Sequence, residues 1–138
     1  MAHIVFFEKP GCAGNARQKK LLREAGHTLE VRDLLGWPWM RDALLSFVDP
    51  LPVAQWFNRA APRVKSGEVD PDAVDREAAL QLLLADPLLI RRPLMQSGAR
   101  RMVGFDAAAV DAWIGLASQP PQGNLEGCAA KTQSSCRP

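Results

Sequence analysis

The spacing of apolar and polar residues predicts a strand, a helix and a second strand in the first quarter of the chain. An apolar run over residues 3–7 ends at a Pro-Gly turn and is typical of a buried strand. Apolar residues at helical spacing predict a helix over about 15–25, and the pattern over 28–31 is extended again. In such a β-α-β unit, Cys12 lies at the carboxyl edge of the first strand, where open α/β sheets bind their ligands.

The middle of the chain, residues 33–86, has helical periodicity interrupted by prolines, and we expect a helical insert here. Asp70 followed by Pro71 predicts an N-cap and a first turn for its last helix, which runs to about residue 85. The predicted inward positions are Met40, Ala43, Leu44 and Phe47 in one helix, Val53, Trp56 and Phe57 in a short helix, and some of Val74, Ala78, Ala79, Leu82 and Leu83 in the last.

The last third of the chain predicts a hairpin followed by a helix. Residues 88–95 form a predicted strand with Pro93 inside it, and because proline cannot donate to a ladder, the site must be an edge, a bulge or a special turn. Residues 101–105 are the predicted partner strand, and Asp106 is the predicted cap of a final helix. From about 118 there is little to bury, and we expect residues 118–138 to be a disordered tail.

Composition and charge favour one ordinary globular domain, over residues 1–117. Its 138 residues are 47% apolar and 23% charged, which is enough for a single domain with a core. The net charge is +2 and the basic residues are dispersed, so we expect no nucleic-acid partner. No apolar stretch is long enough to span a bilayer and no signal peptide is recognisable, so we expect a cytoplasmic protein without a membrane partner. We also expect a monomer.

The cysteines favour a reducing compartment and no metal site. Cys12, Cys128 and Cys136 do not form a disulfide framework. Together with His3 and His27, they also lack the paired spacing that metal ligands show. We therefore expect neither structural disulfides nor a bound metal.

Cys12 precedes a predicted helix, and this position favours chemistry at its sulfur. A helix N-terminus presents backbone N–H groups and a partial positive charge, which stabilise a thiolate. Gly11 and Gly14 let backbone amides approach an anion, and Lys9 and Arg17 add positive charge on both sides. The alternative is a small buried hydrophobic residue at a strand end, which is common for free cysteine.

The order of the predicted elements, with a cysteine after the first strand and a proline in the third, resembles a thioredoxin-like layout. The expected fold class is therefore α/β, with a thioredoxin-like mixed sheet (β-α-β, then β-β-α) and the helical insert between strands 2 and 3. In that fold an X-Pro bond beside the thiol is typically cis. We accordingly expect a cis Arg92–Pro93 bond, and an ordinary trans proline at a sheet edge is the alternative.

Three segments together resemble the arsenate reductase/Spx family, also called ArsC. They are Cys12 after its Pro-Gly turn, DPLLIRRPL at 86–94 and VGFD at 103–106, and the likeness covers residues 3 to about 116. Shorter segments look like one branch of this family, the nitrogenase-associated proteins, which are found with nitrogen-fixation genes in bacteria. These segments are FEKPGC at 7–12, QK at 18–19, WFNR at 56–59 and KSGE at 65–68.

The resemblance implies a nucleophilic cysteine and three arginines that hold the oxyanion in the arsenate reductases. Cys12 matches the nucleophile, and Arg92 matches the arginine beside the cis proline. The arginine of the insert falls on Asn58, with Arg59 next to it. The third arginine falls on Gly104, with Arg100 and Arg101 shortly before it. Cys12 is therefore the predicted catalytic residue. The predicted oxyanion- or substrate-binding residues are Arg92, Arg17, Asn15, Gly14 and Pro93, with Arg59, Asn58 and Arg101 as further candidates.

The function that the resemblance implies is a single-cysteine thiol-redox or accessory protein linked to nitrogen fixation, with no bound cofactor. Spx proteins carry a second cysteine three residues after the first, and Asn15 occupies that position here. Glutathione or glutaredoxin is thus the expected reductant, with Cys128 or Cys136 as the alternative. The expected partner is glutaredoxin or a nitrogen-fixation protein.

Two other functions remain open at this point. One is a glutathione- or glutaredoxin-dependent reductase of arsenate or another oxyanion. The other is a non-catalytic regulator that binds a partner through the helical insert. Trp37, Trp39 and Trp56 support the regulator if they form a surface group, because tryptophan is enriched in binding hot spots, and core packing of the insert is the competing interpretation.

Overall fold

A four-stranded mixed sheet organises the computed structural model, which describes residues 2–116. The elements are β1 (His3–Glu8), α1 (Ala13–Glu24), β2 (Thr28–Asp33), α2 (Arg41–Val48), α3 (Pro62–Lys65), α4 (Arg76–Ala85), β3 (Leu94–Ser97), β4 (Arg100–Val103) and α5 (Ala107–Ile114), with 3-10 turns at Val53–Gln55 and Pro87–Leu89. The strand order is β2-β1-β3-β4, with β1 parallel to β2 and the other pairs antiparallel. This confirms the predicted thioredoxin-like α/β sheet. The predicted tail, 118–138, lies outside the described residues.

The central strand β1 supplies apolar side chains to both faces of the sheet, since successive residues of a strand point in opposite directions. Ile4 and Phe6 belong to one cluster, with α1 and α5, whereas Phe7 belongs to the other, with the insert. The first cluster is Ile4, Phe6, Leu22, Met95, Phe105, Ala107 and Val110. The second is larger and includes Phe7, Leu34, Leu44, Phe47, Val48, Trp56, Phe57, Leu80, Leu83, Leu89, Ile90 and Leu94.

The tryptophans of the insert pack on this second cluster. Trp56 is fully buried, and its indole N–H donates to the Leu51 carbonyl at 2.9 Å. Trp37 and Trp39 are half-buried and stack around Phe7 with ring-centroid distances of 5.3 and 4.9 Å. The hypothesis that these tryptophans form a surface group is therefore wrong, and the alternative, that they pack in the core of the insert, is confirmed.

Two predictions about the helices of the insert are wrong. Met40 is 73% exposed because it lies before α2, and the buried side chains of α2 are Leu44, Phe47 and Val48. Helix α4 begins at Arg76 rather than after Asp70, since Asp75 caps it by accepting from the Ala78 N–H at 2.8 Å. Asp70 instead closes a local turn by accepting from the N–H of Asp72. Some of Val74, Ala78, Ala79, Leu82 and Leu83 were expected to face inward, and Ala79 and Leu83 are buried, as is Leu80, whereas Ala78 is exposed and Leu82 is half-buried.

The surface of the insert carries a paired guanidinium and carboxylate that connect α2 to α4. Arg41 donates to both oxygens of Glu77 at 2.7 and 2.8 Å. This hydrogen bonding, with a further one from Gln81, lowers the pKa of Glu77 to about 2. The carboxylate is exposed, so solvent screens the pair and its effect on stability is small.

The predicted third strand is shorter than expected, and its proline has the expected geometry. Residues 87–89 form a 3-10 turn, and Ile90 makes an isolated bridge to Phe57, so the ladder begins only at Leu94. The Arg92–Pro93 bond is cis, as predicted. A strand that contained Pro93 would lack one ladder donor, which explains why pairing starts after it.

His27 connects the start and the end of the described chain. The Ala2 N–H donates to its Nδ1 at 2.9 Å, and its Nε2 lies 2.9 Å from the Gly115 carbonyl. Because a carbonyl only accepts, Nε2 carries the proton and the ring is the neutral Nε2–H tautomer. The imidazole is buried and has a structural role at this place.

None of the helices within residues 2–116 has the length and hydropathy that crossing a membrane requires.

Candidate functional site

Cys12 is the N-cap of α1, at the end of a tight turn over residues 9–12 that we name the thiol turn. Its backbone is extended (φ −80°, ψ 121°), its N–H donates to the Lys9 carbonyl and its carbonyl accepts from the Ala16 N–H. Gly11 has a φ of +82°, which other residues rarely adopt. Since α1 begins at Ala13, the backbone N–H groups of the first turn of the helix directly follow Cys12 in the chain.

Asn15 and Gln18 form a buried clamp behind the thiol turn. The Asn15 side chain accepts from the Lys9 backbone N–H at 2.9 Å and donates to the side-chain oxygen Oε1 of Gln18 at 2.8 Å. Both side chains are fully buried, so these hydrogen bonds hold the turn against α1 in a water-poor interior. The sequence indicated Asn15 as a ligand for an oxyanion, and the structure places its side chain in this clamp.

The sheet register places the thiol turn and the cis proline at one edge. Phe7, near the end of β1, is opposite Leu94, which directly follows Pro93. The thiol turn leaves β1 after Glu8, and Pro93 accepts from the Gly104 N–H at 2.8 Å through its carbonyl. Two predicted site features that are 80 residues apart in sequence therefore meet at the carboxyl end of β1.

Cys12 is 3% exposed, yet it belongs to neither apolar cluster of the described chain. Gly11 and Pro10 are exposed next to it. Cys12 is thus a buried residue directly beside exposed residues of the thiol turn.

Arg92 is the predicted arginine that the structure buries at this edge. It is 5% exposed, and its Nε has no hydrogen-bond partner among the described residues. A buried guanidinium N–H without a partner is unfavourable, so this side chain favours a nearby acceptor.

The other predicted arginines lie elsewhere. Arg59 is exposed and donates to Asp72 and to the Ala54 carbonyl, each at 3.1 Å. Arg101 is exposed on β4, with its guanidinium carbon 5.7 Å from the centre of the Phe47 ring. Arg17 is exposed on α1, and Gly14 is buried in the first turn of that helix.

A cleft of about 510 Å³ opens beside Arg92 and brings together residues from three parts of the chain. Its polar lining comprises Lys9, Asn58, Lys65, Ser66 and Arg92. Asn58, a predicted site residue, is buried there, and its side-chain oxygen accepts from the Ala60 N–H at 3.1 Å. Lys65 and Ser66 were not predicted as site residues, although the KSGE segment that contains them contributed to the resemblance. That likeness was the only signal for them in the sequence, because they come close to Arg92 only in the folded chain.

Within residues 2–116, no group of three histidine, cysteine, aspartate or glutamate side chains is arranged to hold a metal ion. The candidate site comprises a thiol, backbone amides and positively charged side chains. A thiol in such surroundings suits nucleophilic attack on an electrophilic sulfur or oxyanion.

The fold and the candidate site define a thioredoxin-like protein with one cysteine in the turn after its first strand. A model of the ArsC family matches residues 13–113. Because this match covers most of the chain, the protein belongs to the ArsC family. Family membership and fold together support a thiol-redox role.

Relatives in sequence and structure agree with this assignment. An uncharacterised 15.7 kDa protein in the draG 3′ region of Rhodospirillum rubrum is 54% identical over 128 residues, which are 93% of this chain and 89% of that protein. A putative ArsC family related protein from Bacteroides fragilis has a TM-score of 0.70 at 22% identity, covering 79% of this chain and 95% of its own. An arsenate reductase from Vibrio cholerae has a TM-score of 0.63 at 17% identity, covering 75% and 90%. The solved structures share the fold with this chain.

Proposed function

We propose that this ArsC-family protein is a thiol oxidoreductase in which the single cysteine of the active-site turn, Cys12, is the nucleophile. The observation that supports the proposal best is that Cys12 caps α1 at the same sheet edge as the cis Arg92–Pro93 bond. Backbone amides at the start of the helix stabilise negative charge on the sulfur, and Arg92 adds positive charge at this edge. The proposed substrate is a small disulfide.

The proposed reaction is a thiol–disulfide exchange in two steps. Cys12 loses its proton to solvent, and the thiolate attacks one sulfur of the disulfide R–S–S–R′. The old S–S bond breaks, a bond between Cys12 and R′ sulfur forms, and the released R–S⁻ takes up a proton. A glutathione thiolate then attacks the R′ sulfur, which yields a glutathione–R′ disulfide and restores Cys12. Glutaredoxin could supply the second thiol in the same way.

Burial of the thiol sets a condition on this chemistry. Cys12 is 3% exposed, so a disulfide reaches its sulfur only when the thiol turn moves. Pro10 and Gly11 are the exposed residues of the turn, so we expect the movement there. We therefore expect the first step to be slow in comparison with a free thiol.

The test is mass spectrometry of a protein in which Cys12 is the only thiol, made with Cys128→Ser and Cys136→Ser. This protein is exposed separately to glutathione disulfide, arsenate and peroxide. We expect a mixed disulfide with glutathione at Cys12 that added glutathione removes. The matched control carries Cys12→Ser as well and should stay unmodified. If folded protein resists glutathione disulfide while denatured protein reacts, the proposal is wrong.

The same experiment separates this function from oxyanion reduction. Arsenate turnover that depends on Cys12 and glutathione would replace the disulfide by an oxyanion as the substrate. Arg59 is paired with Asp72, and Arg101 lies over the ring of Phe47. Arg92 is therefore the one predicted arginine that lines the cleft, and this favours a disulfide over an oxyanion as the substrate.

For the biological role, we propose a link to nitrogen fixation. Its support is the likeness of segments 7–12 and 65–68 to the nitrogenase-associated branch and the relative in the draG 3′ region of Rhodospirillum rubrum. Deletion of the gene in its host should impair growth on dinitrogen and leave growth on ammonium normal. Restoration by the native protein but not by Cys12→Ser would connect this role to the thiol, and restoration by both would favour a non-catalytic partner-binding role.

A further inference from the structure

The cleft beside the thiol turn is lined by positive charge that no described carboxylate neutralises. Lys9, Lys65 and Arg92 all line it, and no acidic side chain among residues 2–116 is part of its wall. Within the same residues, neither lysine ammonium lies within ion-pair distance of a carboxylate. Other basic side chains of the insert, such as Arg41 and Arg63, are paired with acids. The wall of the cleft thus carries a net positive charge, which favours an anionic ligand.

Arg92 gives an independent indication that an acceptor belongs here. The residue is only 5% exposed, and its Nε lacks a hydrogen-bond partner among the described residues. Burial of a charged group is favourable only when an opposite charge or a hydrogen-bond acceptor compensates it. An anion in the cleft would supply both.

The size and walls of the cleft indicate an organic anion. A volume of about 510 Å³ lies in the range of sites for small organic ligands, about 300–1,000 Å³. Ala60, Pro62 and Leu88 give it apolar walls beside the charges. Lysine ammonium groups act as point charges on flexible stems, which suits separate carboxylates better than the paired, planar contacts that arginine makes.

We propose that the cleft is a carboxylate-binding subsite that selects negatively charged small disulfides for Cys12. Lys9 and Lys65 bind the carboxylates, and Arg92 provides the buried positive charge at the base of the site. The subsite rests on the proposed function, since its occupant is the disulfide that Cys12 attacks. In that attack, the carboxylates are held while the S–S bond breaks and the new bond to Cys12 forms.

The kinetic test compares three small disulfides that differ in charge, in the protein with Cys12 as its only thiol. They are 3,3′-dithiodipropionate (anionic), 2-hydroxyethyl disulfide (neutral) and cystamine (cationic). The rate of mixed-disulfide formation at Cys12, normalised to the rate of a free thiol with the same disulfide, should fall in that order. We expect roughly a 10-fold preference for the anion over the neutral compound at low ionic strength, and a smaller preference at high ionic strength.

Matched variants locate the preference. Lys9→Gln with Lys65→Gln should bring the anionic-to-neutral ratio close to one, and the ratio is the readout because Lys9 also lies in the thiol turn and its loss can change the rate with every disulfide. The control, Lys20→Gln with Arg100→Gln, removes the same charge from exposed positions outside the cleft and should keep the ratio. Equal ratios in all three proteins, or an equal fall with every disulfide, would overturn the subsite and leave thiol exchange at Cys12 standing.

A binding measurement tests the subsite without any redox step. The probe is 3,3′-thiodipropionate, a thioether dicarboxylate that has no S–S bond, and calorimetry measures its affinity. It should bind the native protein and the Lys20/Arg100 control, and bind at least about 10-fold more weakly to the Lys9/Lys65 variant. Equal affinity in all proteins, or no binding to the native protein, would overturn the subsite. Binding in a protein whose Cys12 reacts with no disulfide would contradict the proposed function alone.

Discussion

The two sides of the site are built by different means. On the thiol side, residues 9–18 are held by hydrogen bonds among close neighbours in sequence, with the Asn15–Gln18 clamp fully buried. On the insert side, Asn58 lies in a loop and Lys65 is the last residue of α3, and this part of the chain packs through a large apolar cluster. The thiol side is therefore specified locally, whereas the insert side depends on long-range packing.

Among the changes proposed, Trp56→Ala on the insert side should lower the stability of the fold most. The indole is fully buried, and its N–H donates to the Leu51 carbonyl, so the change leaves a cavity and an unpaired carbonyl. We expect a loss of about 3–5 kcal/mol in the free energy of unfolding, measured by urea denaturation. Trp113→Ala, at a half-buried position of α5, is the control and should cost less. Equal losses would contradict the central place of Trp56.

On the thiol side, Asn15→Ala should lower the free energy of unfolding by about 1–3 kcal/mol. The change removes the acceptor of the Lys9 N–H and the donor to the side-chain oxygen of Gln18. The thiol turn should then open more often, so iodoacetamide should label Cys12 faster in the protein without Cys128 and Cys136. Asn15→Asp keeps an acceptor for the Lys9 N–H and should retain more of the native protection. A labelling rate that Asn15→Ala leaves unchanged would argue against the clamp.

A smaller effect distinguishes the true start of α4 from the predicted one. Asp75→Ala should lower the free energy of unfolding by about 1 kcal/mol, since its side chain caps the Ala78 N–H. Asp70→Ala removes only the acceptor of a local turn and should have less effect. Thermal denaturation of the two variants side by side makes the comparison, and the reverse order would contradict this helix boundary.

The smallest expected effect is that of Glu77→Gln on acid stability. Arg41 lowers the pKa of Glu77 from 4.5 to about 2, so the pair stabilises the fold above the unfolded value. That stabilisation is lost as the pH falls from about 4.5 towards 2, when the native carboxylate becomes protonated. The difference in urea midpoint between native and variant protein should therefore shrink over this interval. Asp42→Asn, also at the start of α2, is the control.

The contrast between the two sides also explains what could be predicted from the sequence. Cys12 at the start of a helix and the cis bond before Pro93 follow from a turn, a periodic pattern and a family likeness, all carried by contiguous residues. Pattern alone could not choose between Asp70 and Asp75 as the cap of α4, because both are aspartates, which suit an N-cap position.

The cleft was beyond prediction for the same reason. Lys65 meets Arg92 only through the docking of the insert on the sheet, and no spacing in the sequence records that contact. Met40 was expected to be buried because it lies one helical turn before Leu44. This prediction is wrong, because α2 begins only after Met40. Local rules thus predicted the thiol side better than the insert side.

The imidazole of His27 has a practical consequence for how this protein can be handled. It joins Ala2 to Gly115 at the amino end of β1, and the thiol turn begins at the other end of that strand, about 17 Å away for a strand of this length. An affinity tag or a solid support joined ahead of Ala2 is therefore attached at the opposite end of β1 from the thiol turn. Immobilised protein should keep the exposed Pro10 and Gly11 of that turn accessible to solution.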